Sequence, residues 1–360
     1  MRRHLIEFVA AFLIDCPSLE ENSMPTMQAM QIAEAGGDFQ LVEREIPEPK
    51  AGQVRIKVDA CGICHSDAFV KEGTFPGLQF PRVPGHEIAG RIDVAGEAVS
   101  MWSKGQRVGV GWHGGHCFVC ESCRRGDFIT CENAQVCGIT YDGGYAEYVV
   151  VPEEAVVAIP DALCAIDAAP LLCAGITTYN ALRNSGARPG DLVAVQGVGG
   201  LGHLGIQYAA AMGFHTVALS HGDAKKDLAL SLGAKDYVDT RANDPVGALR
   251  ARGGARVVLA TAPSAKAMSS VIDGLAVDGK LLSVGATADP IEVSPFQLIM
   301  KRLSVSGWPS GTPRDSEDTL NFSVLSDTRA HVETFPLAEA AAAYDRMISN
   351  TARFRVVLTM

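Results

Sequence analysis

The chain has 360 residues, enough for two domains with separate cores. With 47% hydrophobic and 20% charged residues it describes a globular protein and argues against disorder. A formal net charge of −10 argues against a nucleic-acid surface, which needs clustered Lys and Arg, and no segment beyond the N-terminal stretch offers an apolar run long enough to span a bilayer.

Residues 1–26 stand apart. Arg2-Arg3-His4 followed by the apolar run from Leu5 to Ile14 has the outline of a signal peptide, but Glu7 and Asp15 interrupt it and no small-residue cleavage site follows. The stretch reads as a poorly ordered N-terminal extension, or as a consequence of start-site choice with Met24, Met27 or Met30 as the true beginning. Of the ten Cys, four crowd into one short loop at spacings that suit metal better than disulfides, which predicts a reducing, cytoplasmic compartment.

From Ala29 the pattern becomes short strand-like runs separated by turns. Phe39 to Ile46 and Gln53 to Ala60 alternate apolar and polar residues, with Pro47, Pro49 and Gly52 between them. Ile88 to Val94, Arg107 to Val110 and Ala146 to Val151 continue the series, joined by loops rich in Gly and Pro. These runs predict a barrel-like, mostly antiparallel β unit over 27–180, rejoined by 309–360. Beyond Pro160 strands alternate with helices: Asp191 to Gln196, His203 to Met212, Thr216 to Leu219, Ala224 to Leu232, Arg256 to Ala260 and Lys280 to Val284. That rhythm implies a doubly wound parallel sheet over 181–308, so the fold class is α/β with a second, β-rich domain.

Chemistry concentrates in Gly62-Ile63-Cys64-His65-Ser66-Asp67, where a thiol, an imidazole, a hydroxyl and a carboxylate follow one another. A catalytic zinc takes three protein ligands from Cys, His and carboxylate and keeps a fourth position open. Cys64, His86 in Pro84-Gly85-His86-Glu87, and Cys173 are the candidates. The quartet Cys117-x2-Cys120-x2-Cys123-x7-Cys131 can close a tetrahedral shell with no vacancy, so a metal there is structural. Gly197-Val-Gly199-Gly200-Leu201-Gly202 follows a strand and opens a helix. Gly197 allows the tight turn, Gly199 lets backbone approach a pyrophosphate, and Gly202 lets helix pack on strand. The helix N-terminus then offers unpaired N–H groups to the phosphates. All of these, Gly200 and Leu201 included, are expected coenzyme contacts, as are Val284 and Gly285 after the later strand. Where an acidic residue at the end of the second strand would bind the adenosine ribose, this chain has Ser220-His221-Gly222, with Lys225 nearby. That favours NADP(H) over NAD(H).

Taken together, Gly-Ile-Cys-His-Ser-Asp, Gly-His-Glu, the spaced quartet, Cys173-Ala-Gly-Ile-Thr-Thr-Tyr179 and the glycine turn resemble the zinc-dependent alcohol dehydrogenases of the medium-chain dehydrogenase/reductase superfamily, from about Met27 to the end. The resemblance implies a Rossmann-type coenzyme domain beside a GroES-like catalytic domain, two zinc ions per chain and a homodimer or homotetramer acting on a small-molecule alcohol or carbonyl. It implies catalytic zinc ligands at Cys64, His86 and Cys173, and structural ones at Cys117, Cys120, Cys123 and Cys131. Glu87 and Asp67 match carboxylates that orient or tune the ligands, and Glu87 is counted with the metal set as well. Ser66 matches the hydroxyl that takes the alcohol proton. His65, Thr177 and Arg353 match residues beside the pyrophosphate, the nicotinamide and a phosphate.

One departure concerns the proton relay, whose outer His is here Phe69. Phe75 and Trp112 fall where members place pocket walls, and His113, His116 and His203 have no assigned role. The expected activity is reversible hydride transfer between a primary or secondary alcohol and its aldehyde or ketone. Its rivals are an NADPH-dependent carbonyl reductase of a biosynthetic pathway and a non-catalytic coenzyme-binding zinc protein.

Overall fold

The computed structural model describes residues 25–360; the expected N-terminal extension lies almost wholly outside them. The expected boundary at residue 26 meets the strand Thr26–Ile32, which pairs antiparallel with Phe39–Glu45 and buries Met27 and Met30.

A seven-stranded sheet of mostly antiparallel pairs forms the β-rich part. Its longest member, Gln53–Ile63, turns Val54, Ile56 and Val58 inward and sends Arg55 and Lys57 the other way, the period-2 signature of a half-buried strand. It pairs with Ile88–Ala95, Tyr148–Pro152 and the C-terminal strand Arg355–Thr359. That last strand lies between Gln53–Ile63 and Val332–Pro336, pairing antiparallel with the first and parallel with the second. Gln53–Ile63 runs three residues beyond its alternating pattern, so its C-terminal end delivers Cys64 directly into the loop.

The second layer system is a six-stranded parallel sheet in the order Asp236–Asp239, His215–Ser220, Leu192–Gln196, Ala255–Ala260, Leu275–Ser283, Ser304–Gly307. Val193, Ala194 and Val195 are wholly buried, as expected of a strand covered on both faces. The chain leaves its central strand in one direction and then the other. The crevice beyond the C-terminal ends of Leu192–Gln196 and Ala255–Ala260 is therefore the topological switch point, where such sheets bind ligands. Both architectures anticipated from the sequence are present, and among the described residues no helix is long and apolar enough to cross a membrane.

Candidate active site

Two groups of metal-ligating side chains assemble among the described residues: Cys117, Cys120, Cys123 and Cys131, and Cys64, His86, Glu87 and Cys173. In each group the ligand atoms lie within 4.8 Å of one another.

The quartet loop bends around the short helix Glu121–Arg124. Cys117 Sγ is 3.6 Å from Cys131 Sγ and 4.0 Å from Cys123 Sγ. Backbone N–H groups point at the sulfurs: Cys120 donates to Cys117 and Asn133 to Cys131. Hydrogen bonds from the Val119 and Cys120 N–H groups push the Cys117 thiol down to about 6, whereas burial pushes Cys123 up to about 12. A cation in the middle of four sulfurs would resolve that conflict by binding all four as thiolates.

In the second group, Cys64 follows the strand Gln53–Ile63, His86 and Glu87 precede Ile88–Ala95, and Cys173 lies on a single π-helical turn, Leu171–Gly175. Such turns inside α-helices are frequent at functional sites. Cys64 Sγ and Cys173 Sγ are 3.8 Å apart, and the hydrogen bond from Cys173 holds the Cys64 thiol well below its ordinary value. Asp67 is buried and works on two ligands at once. Its Oδ2 accepts from the Cys64 N–H at 2.8 Å, and its Oδ1 lies 3.3 Å from His86 Nδ1. That bond fixes the ring so that Nε2 faces the sulfurs. His86 Nε2 is buried without a hydrogen-bond partner, and so is Glu87 Oε2. Burying a polar atom unpaired is costly. A divalent cation between two thiolates and an imidazole would satisfy the nitrogen, so the residues present fit a zinc ion.

Around this set run three aromatic rings. Trp112 meets His86 edge-on at 5.1 Å, Phe75 lies 6.4 Å from Trp112, and Phe69 6.1 Å from Phe75. They give one side of the site an apolar wall. Ser66 Oγ stands 3.7 Å from Cys64 Sγ, half-buried, and His65 is exposed beside it.

The glycine turn has the stereochemistry expected of it. Gly197 has φ +98°, a Cβ on Gly202 would stand 1.9 Å from Gly197 O, and a Cβ on Gly199 would meet nothing within 4 Å. Two glycines are therefore needed for the turn itself and one leaves open space over it, which fits a dinucleotide phosphate. Val284 and Gly285 both donate to Ala260 O, placing them at the same sheet edge, and Thr177 lies half-buried at the start of the helix after Cys173. Lys225 Nζ donates to Val198 O at 2.8 Å, so it reaches the turn rather than the strand end that holds Ser220. Lys225 and Arg353 flank the Phe354 ring at 5.8 and 6.0 Å. Asp239, the register partner of Ser220, spends its carboxylate on the N–H groups of Gly222 and Arg241.

Two residues emerge that the sequence reading did not select. Arg355, 5% exposed, donates to Ile63 O at 3.0 Å and forms an ion pair with Glu87. Its Nη1 would be 3.2 Å from a Cβ on Gly200, so one guanidinium spans the metal group and the glycine turn. Reading His203 as incidental is corrected by the fold. It is fully buried, with Nδ1 2.8 Å from Gly199 O and Nε2 accepting the His331 N–H at 3.2 Å. Burial lowers its pKa to about 3, so it stays neutral, donating on one side and accepting on the other. His113 and His116 pair with each other at 3.0 Å and join neither metal group.

A buried group of Cys64, His86, Glu87 and Cys173 that fits a metal, joined through Arg355 to a glycine turn at the switch point of a parallel sheet, is the arrangement of one class, the metal-assisted nicotinamide oxidoreductases. Residues 50–161 match the family described as "Alcohol dehydrogenase GroES-like domain" and residues 200–324 the family described as "Zinc-binding dehydrogenase". Alcohol dehydrogenase patD of Penicillium expansum is 45% identical over 327 residues, spanning 91% of this chain and 96% of that one. Among solved structures, a cinnamyl alcohol dehydrogenase of Sorghum bicolor superposes with a TM-score of 0.85 at 28% identity, covering 93% of this chain and 98% of its own. A second, the CAD of Helicobacter pylori complexed with NADP(H), gives 0.82 at 27% over 93% and 98%. The chain belongs to the zinc-type alcohol dehydrogenases of the medium-chain dehydrogenase/reductase superfamily. It is an NAD(P)-dependent oxidoreductase acting on small-molecule alcohols and carbonyls.

Proposed function

We propose that the enzyme interconverts a primary or secondary alcohol with its aldehyde or ketone, depends on zinc at Cys64, His86 and Cys173, and prefers NADP(H). The observation that carries this reading is the buried, unpartnered His86 Nε2 facing two sulfurs 3.8 Å apart. Zinc there supplies Lewis acidity toward the substrate oxygen, and the nicotinamide supplies or takes the hydride. The remaining work falls to the chain. Asp67 keeps His86 aimed, the Gly197–Gly202 turn binds the coenzyme phosphates with Lys225 and Arg353 at its edge, and Trp112 and Phe75 keep water from the substrate. Ser66 Oγ accepts the alcohol proton and passes it to solvent, because Phe69 can carry no proton. The division into catalytic (27–180, 309–360) and coenzyme-binding (181–308) domains belongs to this reading, as does a cytoplasmic location.

Native mass spectrometry tests metal and assembly together. Two zinc ions per chain are expected, on a homodimer or homotetramer. The helix Pro295–Lys301 leaves Phe296, Ile299 and Met300 exposed beside the sheet's edge strand Ser304–Gly307, a surface suited to a second copy. A single zinc per chain would remove the catalytic role assigned to Cys64, and a monomer the role assigned to that edge.

Coenzyme choice rests on Ser220, which brings no charge to the end of the second strand. Ser220→Asp should lower kcat/KM with NADP(H) on the order of a hundredfold while sparing NAD(H), since like charges at a binding surface cost several kcal/mol. Equal kinetic constants for the two coenzymes in the unmodified enzyme would end the NADP(H) assignment. The same uncharged strand end favours the reductive direction as the second reading.

A further inference from the structure

We infer that Tyr145 is a positioning residue for the metal site, its phenol clamping the Asp67 carboxylate that aims His86; this rests on zinc being held by Cys64, His86 and Cys173. Tyr145 is wholly buried, and its OH donates to Asp67 Oδ2 at 2.8 Å. The same oxygen takes the Cys64 N–H at 2.8 Å, while Oδ1 faces His86 Nδ1 at 3.3 Å. Without the phenol, Oδ2 would rest on the Cys64 N–H alone. Two donors on Oδ2 from different directions fix its plane, and so fix where Oδ1 points.

The backbone makes room for this arrangement at some cost. Gly85, immediately before His86, has φ +104°, and a Cβ there would lie 2.4 Å from Tyr145 Cδ1. The ring therefore lies directly beneath the segment that carries the ligand. Packing alone does not call for a hydroxyl here, because phenylalanine has the same ring. A buried hydroxyl without a partner would be destabilising, so the bond to Asp67 is what makes this tyrosine tolerable. Burial and the neighbouring carboxylate push the phenol's pKa well up, which keeps it a donor. Partners of metal-bound histidine typically influence metal affinity or activity by 10- to 100-fold, and the phenol acts one bond farther out.

The zinc-loaded enzyme and its Tyr145→Phe variant are mixed with a colorimetric chelator, the four-Cys zinc serving as internal reference. The variant should release its catalytic-site zinc about tenfold faster and its structural zinc at an unchanged rate. With Co2+ in the catalytic site, its d–d bands should shift. Val149→Ala, which thins the same core without touching Asp67, should do neither. Should Tyr145→Phe not accumulate as folded protein, 3-fluorotyrosine introduced at position 145 provides a second arm: a more acidic phenol donates more strongly and should slow release. Unchanged catalytic-zinc release and bands overturn the inference, as does equal acceleration at both zinc sites or by Val149→Ala. An unmodified enzyme carrying zinc only on the four cysteines overturns the underlying metal assignment instead.

Discussion

Cys64→Ser is expected to lower kcat by about a thousandfold, because several kcal/mol of Lewis-acid stabilisation is at stake and each 1.36 kcal/mol is a factor of ten. Serine keeps the size of the side chain and leaves the Cys64 N–H bond to Asp67 in place. The surroundings should therefore stay folded while the thiolate is lost. Zinc content should fall from two ions to one, the remaining ion on the quartet. Coenzyme affinity, followed by nicotinamide fluorescence, should change little, because the Gly197–Gly202 turn offers its own backbone N–H groups to the phosphates. Full turnover by a folded variant would refute the metal assignment. Loss of coenzyme binding along with turnover would show instead that residue 64 supports the crevice rather than the chemistry.

Arg355→Leu is expected to destabilise the folded enzyme by about 3–5 kcal/mol, the usual cost of breaking a buried ion pair from one side. Glu87 is 0% exposed and Oε2 already lacks a partner, so removing the guanidinium leaves its carboxylate with neither oxygen satisfied. Burial already pushes Glu87 up to about 7 against the pull of Arg355. Losing that pull moves the carboxyl further up. Arg355 also borders Gly200, so the variant should bind coenzyme more weakly than Cys64→Ser does. Urea denaturation of the zinc-loaded proteins measures the first effect, coenzyme titration the second. A loss below about 1 kcal/mol would mean that the pair is water-accessible and screened like a surface salt bridge.

The parts of the site legible in the sequence are those whose geometry is local. Four cysteines within one loop announce a closed metal shell, and a glycine turn between a strand and a helix announces a phosphate cradle, because covalent spacing nearly determines both. Cys64, His86 and Cys173 are far apart along the chain, and only their order in a known pattern singled them out. Arg355, His203 and Tyr145 lie outside both kinds of signal. Two arginines fall two residues apart in Arg353-Phe354-Arg355, and alternation alone puts both on one face. The strand begins only at Arg355, so the first stays at the surface and the second is driven into the interior. An arginine inside an apolar strand was itself a signal, since it must find a buried anion. His203 and Tyr145 gave no comparable sign. Each takes its role from a partner more than seventy residues away, His331 for one and Asp67 for the other.

The placement of Arg355–Thr359 has a bearing on how the protein is made. A strand that lies between two others yet follows the whole parallel sheet in the chain is supplied only after that sheet has been made, so the nascent β-rich part must wait with an open edge on Gln53–Ile63. Leu192–Gly307, by contrast, holds every strand of its sheet in one continuous stretch and can close before Arg355–Thr359 has been made. The β-rich half, which carries Cys64 and His86, thus matures after the parallel sheet and has the greater need of chaperone protection on the way.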